Sequence, residues 1–364
     1  MKYMNFEEFV NKVTNRLEEY LPEELKGADV VVRTHQKLNE NYLGLTLQLE
    51  GKNTFPIVNL DDYFQDYEQG RSIHNIMGAI AETLEMEMPQ FDLKSMIDFE
   101  SAKKLLFIRV NNLESNAEYL KNLPYTVVED MAITYHLAVT VDEHGVSSAP
   151  VTNDILKSYG VDKEELHQAA LENSANLFPV NTCSLNEMMK NLMVEQFREM
   201  DMPEEMMEEM LEEFQTAEEN PMTVVTNDVK INGAAVIFYP EVMDELAKQI
   251  GGDYFILPSS VNEVLILPDN GSLSAQELKE MVTSINATEV APNERLTDQV
   301  YHYDPIDRVF EKASSFETRV REKMEAEKNA KKASIMEKLG EKKEVAKEMQ
   351  KDVSAPARTT IAAL

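Results

Sequence analysis

Apolar positions recur at helical spacing over Asn5–Tyr20, where Phe6, Phe9, Val10, Val13 and Leu17 share one face until Pro22 stops the run. Asp29–Thr34 (DVVVRT) and Leu43–Glu50 (LGLTLQLE) read as strands joined by a polar hairpin link. The pattern turns helical from Leu60 to Gln69, from the N-cap Ser72 to about Glu87, and around Leu93–Lys103. Lys104–Val110 (KLLFIRV) predicts a buried strand, Asn116–Leu120 a short helical piece, and Tyr125–Val141 two strands or one bent one. His144-Gly145 marks a turn, after which Val146–Pro150 opens a connection. Asp162, with Glu165 three residues on, starts a helix to about Asn176, and a second helix covers Ser184–Arg198.

The second half is more sharply punctuated. MTVVTN (222–227) and AAVIFY (234–239) read as strands around Ile231-Asn232-Gly233, since Asn-Gly between apolar runs is the strongest short hairpin signal. A helix begins at Pro240 and ends at Gly251-Gly252. Tyr254–Leu257 and Val264–Leu267 form a pair of core strands meeting at the polar turn Pro258–Glu263. Ser274 and Glu277 make a capping box for a helix over 275–286, with Leu273 as its staple. From Pro305 to Lys351 the chain reads as one charged helix or a short coiled coil: Val309, Ala313, Phe316, Val320 and Met324 step by three and four residues.

These elements predict an α+β protein with a mixed, largely antiparallel sheet, flanking helices and a long C-terminal helical tail. The boundaries are an N-terminal part over 1–120, a central part over 121–305, an extended charged helix over 306–352 and a disordered end over 353–364. Within the central part lies an acidic, methionine-rich helical insertion at about 199–220, EMDMPEEMMEEMLEEFQTAEEN. Met206, Met207, Met210 and Phe214 fall on one face of it, and flexible methionine faces suit adaptable peptide binding. A satellite helix packing its methionines on the body would show the same pattern.

Charge changes the picture of partners. The net charge is −31, and residues 311–364 hold 13 basic and 10 acidic side chains, which leaves −34 on residues 1–310. Such a body repels phosphate backbones, so direct nucleic-acid binding by it is disfavoured, whereas a basic protein partner is favoured. No apolar run approaches the roughly 18 residues of a membrane span, the acidic, helical N-terminus does not resemble a signal peptide, and the single cysteine, Cys183, excludes an intramolecular disulfide. A cytoplasmic protein with no membrane association is expected.

Recognisable chemistry is sparse. His35, His74, His136, His144, His167 and His302 are scattered, with no HExxH, no paired Cys/His and no EF-hand loop; Asp142-x-His144 at a turn is a chance spacing. No Gly-rich phosphate cradle occurs, so neither metal nor cofactor is expected. Glu129-Asp130 is a carboxylate pair at a strand end, but 66 acidic residues produce such pairs by chance. For nucleophilic catalysis the candidates are Ser259 or Ser260, with Glu263 orienting His136 or His302 as base. GxSxG is absent, and Pro-Ser-Ser is also plain turn chemistry.

Several blocks together resemble a known family. LNENYLGLTLQL with PIVNLDDYFQDYEQG, FIRVNNLESNAEYLKNLPYTVVEDMAITYHL, NGAAVIFYPEVMDELAKQIGGDYFILPSSVNEVLILP and LTDQVYHY are similar to blocks of a family of uncharacterised proteins from gut clostridia, labelled only as a domain of unknown function. The resemblance covers roughly residues 5–305. It implies a setting near mobile elements and a histidine where Asn262 stands here, which puts any role for an imidazole at that position in doubt. It implies no activity. The reading is therefore a cytosolic, non-enzymatic protein-interaction or regulatory module. Its partner-binding candidates are Met206, Met207, Met210, Phe214, Phe316, Val320 and Met324, with self-association through the C-terminal helix as one mode. The alternative is a hydrolase-like enzyme with its site at the Pro258–Glu263 turn, and a third reading is an acidic nucleic-acid mimic.

Overall fold

The structure, a computed structural model, describes residues 4–353 apart from 38, 51–54, 87–95, 97, 143–144, 201, 204–205, 208–209, 212–220 and 259. The chain divides into two units, Met1–Phe310 and Glu311–Leu364. The fold is α+β, with antiparallel sheets and flanking helices.

The first layer of the larger unit is a three-stranded sheet covered by helices. Helix α1 (Phe6–Arg16) begins at a reciprocal capping box of Asn5 and Glu8. Strands β1 (Asp29–Lys37) and β2 (Glu40–Gln48) form an antiparallel hairpin, and β2 also pairs β3 (Val58–Asn59). Helices α2 (Leu60–Glu68) and α3 (Ile73–Glu85) follow, α3 with the expected Ser72 cap. Phe9, Val13, Leu45, Leu60, Ile80 and Leu84 close one apolar core. A full burial of each such side chain stabilises by roughly 1.5–3 kcal/mol.

The second layer pair builds the candidate site. After α4 (Phe99–Ala102) come β4 (Leu106–Asn112), the one-turn helix α5 (Ala117–Leu120), β5 (Tyr125–Val128), β6 (Met131–Asp142) and β7 (Gly145–Pro150). Strand β6 pairs β4, while β5 pairs its residues 131–134 and β7 its residues 136–142. Helices α6 (Asn153–Tyr159) and α7 (Lys163–Leu177) lead to β8 (Val180–Ser184), α8 (Leu185–Glu199) and β9 (Thr223–Asn227). Beyond them lie a 3-10 segment (Gly233–Phe238), α9 (Val242–Ile250), β10 (Tyr254–Leu257), β11 (Val264–Pro268), α10 (Ala275–Thr288), β12 (Tyr301–Asp304) and β13 (Val309–Lys312). The resulting six-stranded sheet has the order β13-β12-β10-β11-β9-β8. Inward residues of both sheets, including Ile108, Ile133, Tyr135, Val225, Ile256 and Ile266, share one core with Ala234–Ile237 of the 3-10 segment. The smaller unit carries α11 (Ala313–Val353).

Four readings from the pattern differ from the structure. AAVIFY is not a strand: both edges of β9 are already taken by β8 and β11, so no hairpin partner fits beside it. Asn232 is left-handed (φ 54°), but Gly233 is not, so the type I′ turn that Asn-Gly favours does not form. Instead the chain coils into a 3-10 segment buried from Gly233 through Ile237. Val180–Ser184 (VNTCS) is the strand that takes the vacant edge; its half-exposed positions carry no apolar alternation to announce it. Val146–Pro150 pairs β6 rather than opening a connection. The long helix begins at Ala313, not Pro305, because Asp304 captures the N–H groups of Ile306 and Asp307, and Arg308 (φ 53°) turns the chain into β13. Only the last residues of the helix read over Leu93–Lys103 are seen, as α4; residues 354–364 lie outside the described part.

Gly233 is fixed by close approach. A Cβ there would strike Thr226 Oγ1, the Asn262 carbonyl and the Asn227 N–H, all groups with little room to move. Gly233→Ala is therefore expected to cost about 1–3 kcal/mol. The check is urea unfolding, with Gly252→Ala, which meets open space, as the neutral comparison.

Candidate functional site

The Pro258–Glu263 turn is held by a dense set of hydrogen bonds. Ser260 Oγ donates to Glu263 Oε1 (2.9 Å) and accepts from the Asn262 N–H (2.9 Å). Asn262 joins three segments: its Oδ1 accepts from the Asn232 N–H (3.0 Å), its Nδ2 donates to Glu294 Oε1 (3.1 Å), and its carbonyl accepts from Thr226 Oγ1 (2.6 Å). Ser260 is buried, and its hydroxyl is engaged within the turn. Ser259 lies outside the described residues, as does His144.

Glu263 reaches from this turn into a cavity of about 120 Å³. The cavity lies on the outer face of the six-stranded sheet, away from the shared core. Asn181 and Cys183 of β8 and Val224 and Thr226 of β9 alternate along their strands to line it. Its other wall is α8, whose Met188, Asn191, Leu192 and Glu195 recur at i, i+3, i+4 and i+7. Ser184 N-caps that helix by accepting from the Glu187 N–H, so strand and wall meet without a loop. Lys230 completes the rim beside the two carboxylates. A drug-sized ligand needs roughly 300–1,000 Å³, so this volume suits a side chain of a docked peptide better than a metabolite. A broader depression of about 350 Å³ beside Lys103, Lys104, Glu165 and Glu172 is walled mainly by charged and amide side chains and offers no comparable apolar anchor.

The apolar side of α8 continues outside the cavity. Met189 and Leu192 are 43% and 48% exposed, and Met200, Met206 and Met210 are exposed beyond the helix end. Met206, Met207 and Met210 are helical, with Met207 half-buried; Phe214 lies outside the described residues. On α11, Phe316, Val320 and Met324 share one face at four-residue spacing. The pattern reading singled out Glu263 and the downstream methionines, set Cys183 aside as an idle thiol, and missed Leu192, Met188, Asn191 and Glu195. The Met188–Glu195 helical spacing was readable; the strand that brings Cys183 and Asn181 beneath it was not.

Among the described residues that line the cavity, the one thiol is not activated. Burial pushes the Cys183 thiol up, Glu187 adds to the rise, and only Lys230 opposes it, so the reactive thiolate is disfavoured. His136 Nε2 pairs Thr134 Oγ1 (3.0 Å), and His302 Nε2 pairs Asp269 Oδ2 (3.2 Å) with its ring against Phe255. Asp130 of the carboxylate pair accepts from Thr297 Oγ1 (2.7 Å) and Tyr301 OH (3.0 Å), tying the turn between β5 and β6 to β12. Among the described residues no group of three or more His, Cys, Asp or Glu could hold a metal, and no helix is long and apolar enough to cross a membrane.

A family model spans residues 6–305, most of the larger unit. The chain belongs to DUF5688, a family of unknown function. The DUF5688 region contains the turn, the cavity and α8, and it ends before α11. No curated protein and no solved structure matches the chain.

Buried His136 is expected to make this DUF5688 region less stable in mild acid. Burial holds His136 well below its usual 6.5, and the nearby Arg109 guanidinium, itself lowered to about 10 by burial, lowers it further. The unfolded chain takes up a proton below pH 6.5 that the folded chain refuses, so stability is full above that pH and falls as pH drops beneath it. The limit is about 1.4 kcal/mol per pH unit for one group. His136→Gln is expected to flatten the stability loss between neutral and mildly acid pH, measured as the difference in urea midpoints from wild type; parallel curves would show that His136 does not carry it.

Proposed function

We propose that this chain is a cytosolic, non-enzymatic protein-interaction module that docks an apolar, basic-flanked helix or peptide against α8. The observation that carries this reading is the apolar side of α8, exposed at Met189 and Leu192 among the described residues, at the mouth of a side-chain-sized cavity rimmed by Glu195 and Glu263. An anchor side chain would fill the cavity between Leu192 and Val224, while the carboxylates would meet flanking cations. Residues 199–220 add ten acidic residues, five methionines and no basic residue, which favours the same partner chemistry. An association with mobile elements belongs to this proposal only as a setting in which such adaptor modules would act.

Hydrolysis at the turn has less support. The Ser260 hydroxyl is spent on Glu263 and Asn262, and His136 and His302 bond Thr134 and Asp269. Mimicry of nucleic-acid charge would require recognition by charge alone and leaves the apolar surface of α8 without a purpose.

Fluorescence anisotropy with two synthetic helices tests the proposal. One has leucine anchors flanked by lysines, the other the same anchors flanked by glutamates. The lysine-flanked helix is expected to bind, and Leu192→Asp to weaken it about tenfold or more. Equal binding of both helices, or no effect of Leu192→Asp, overturns the reading.

A further inference from the structure

The cavity beside α8 has more acceptors than donors. Half-buried Glu263 accepts from Ser260 Oγ through Oε1 (2.9 Å), and among the described residues nothing donates to its Oε2. Asn181 gives its Nδ2 to Asp228 Oδ1 (3.2 Å), which leaves its Oδ1 without a donor among them. Buried Thr226 spends its hydroxyl proton on the Asn262 carbonyl (2.6 Å) and keeps its lone pairs. Glu195 adds a second carboxylate from the α8 side. Against these stand the Asn191 amide and the Lys230 ammonium, both on exposed residues. Two carboxylates and one ammonium leave the lining with a net of one negative charge. The remaining lining is apolar or neutral: Leu192 and Met188 on α8, Val224 on β9, and the Cys183 thiol.

That lining selects its occupant. A leucine seated here would cover Val224 but would cut Glu263 and Asn181 off from water with no donor in its place. A guanidinium brings five N–H donors in one plane and one positive charge, on an aliphatic stem that packs against Leu192 and Val224. An ammonium brings three donors and holds its water more strongly, so it gives up more on entering a cavity of about 120 Å³. A free small cation would leave Met189 and Leu192 open to water at the mouth, whereas the chain carrying an arginine would cover them.

We propose that the side chain entering this cavity is an arginine of the docked peptide, its guanidinium held by Glu263, Glu195 and Asn181. This rests on the docking role of α8 argued above and names the anchor.

Fluorescence anisotropy with the full chain compares the lysine-flanked leucine helix with a second helix in which one leucine anchor is replaced by arginine. The arginine helix is expected to bind about three- to tenfold tighter. Glu263→Gln keeps an oxygen that can accept from Ser260, so it should retain the wild-type melting curve while erasing the difference between the two helices. Glu195→Gln, at an exposed position, should narrow that difference in the same direction. An arginine helix that binds no tighter, or a difference that survives both variants, overturns the proposal. If the leucine helix then still binds and Leu192→Asp releases it, the docking role stands and only the anchor falls. If neither helix binds, both fall. Methylguanidinium at the concentration of the arginine helix should leave that helix bound; displacement there would make a free cation the occupant and overturn the peptide as its source.

Discussion

The passage of Gly233 between Thr226 and Asn262 is the constraint on which the larger unit turns. Thr226 Oγ1 donates to the Asn262 carbonyl across the gap that Gly233 faces, leaving no room for a side chain. Because the chain slips through at that point, Ala234–Ile237 can enter the core shared by the two sheets. The Asn232 N–H and the Glu294 carboxylate converge on the same Asn262 side chain. Strand β9, the 3-10 segment, the Pro258–Glu263 turn and the approach to β12 are thus fastened at one residue. The cavity beside α8 inherits this rigidity, since Thr226 and Glu263 line it and also belong to the fastening.

Local rules were legible where a side chain answers to its immediate neighbours. The Ser72, Asp162 and Ser274 caps, the Gly251 helix end and the Tyr254–Pro268 hairpin all follow from short-range chemistry. AAVIFY failed because its environment is decided by distant segments. Six apolar residues in a row fit a buried strand and a buried 3-10 turn equally well, and the choice was made by β8 and β11 occupying the edges of β9. VNTCS failed for the complementary reason. An edge strand with one apolar residue at its start is defined by its partner's hydrogen bonds, which no single-segment pattern encodes.

The same division holds for the site. The turn and the methionine-rich face could be named in advance, because polarity and helical spacing mark them. The cavity beside the turn could not, since it exists only where α8 lies over β8 and β9. Asn262 shows the point at a single residue. By type it is an ordinary turn residue; by position its side chain and backbone answer Asn232, Thr226, Ser260 and Glu294. A histidine there would keep a ring acceptor or donor but not the amide's paired geometry, so the architecture around Asn262 is built for an amide.

Charge is placed differently in the two units. Opposite charges one turn apart would have stabilised α11 by itself, and the sequence has enough of both signs to provide them. Glu317 with Arg321, Lys323 with Glu327 and Glu327 with Lys331 do so early in the helix, whereas between Lys328 and Glu344 lysines gather around Ile335 and Leu339 and glutamates are set behind them. A helix arranged in this way loses local stability unless its basic side meets carboxylates and its apolar residues leave water. The larger unit has the reverse arrangement, with apolar side chains left open on α8 among an excess of acids. Each surface, taken by itself, would be complemented by opposite charge around an apolar centre.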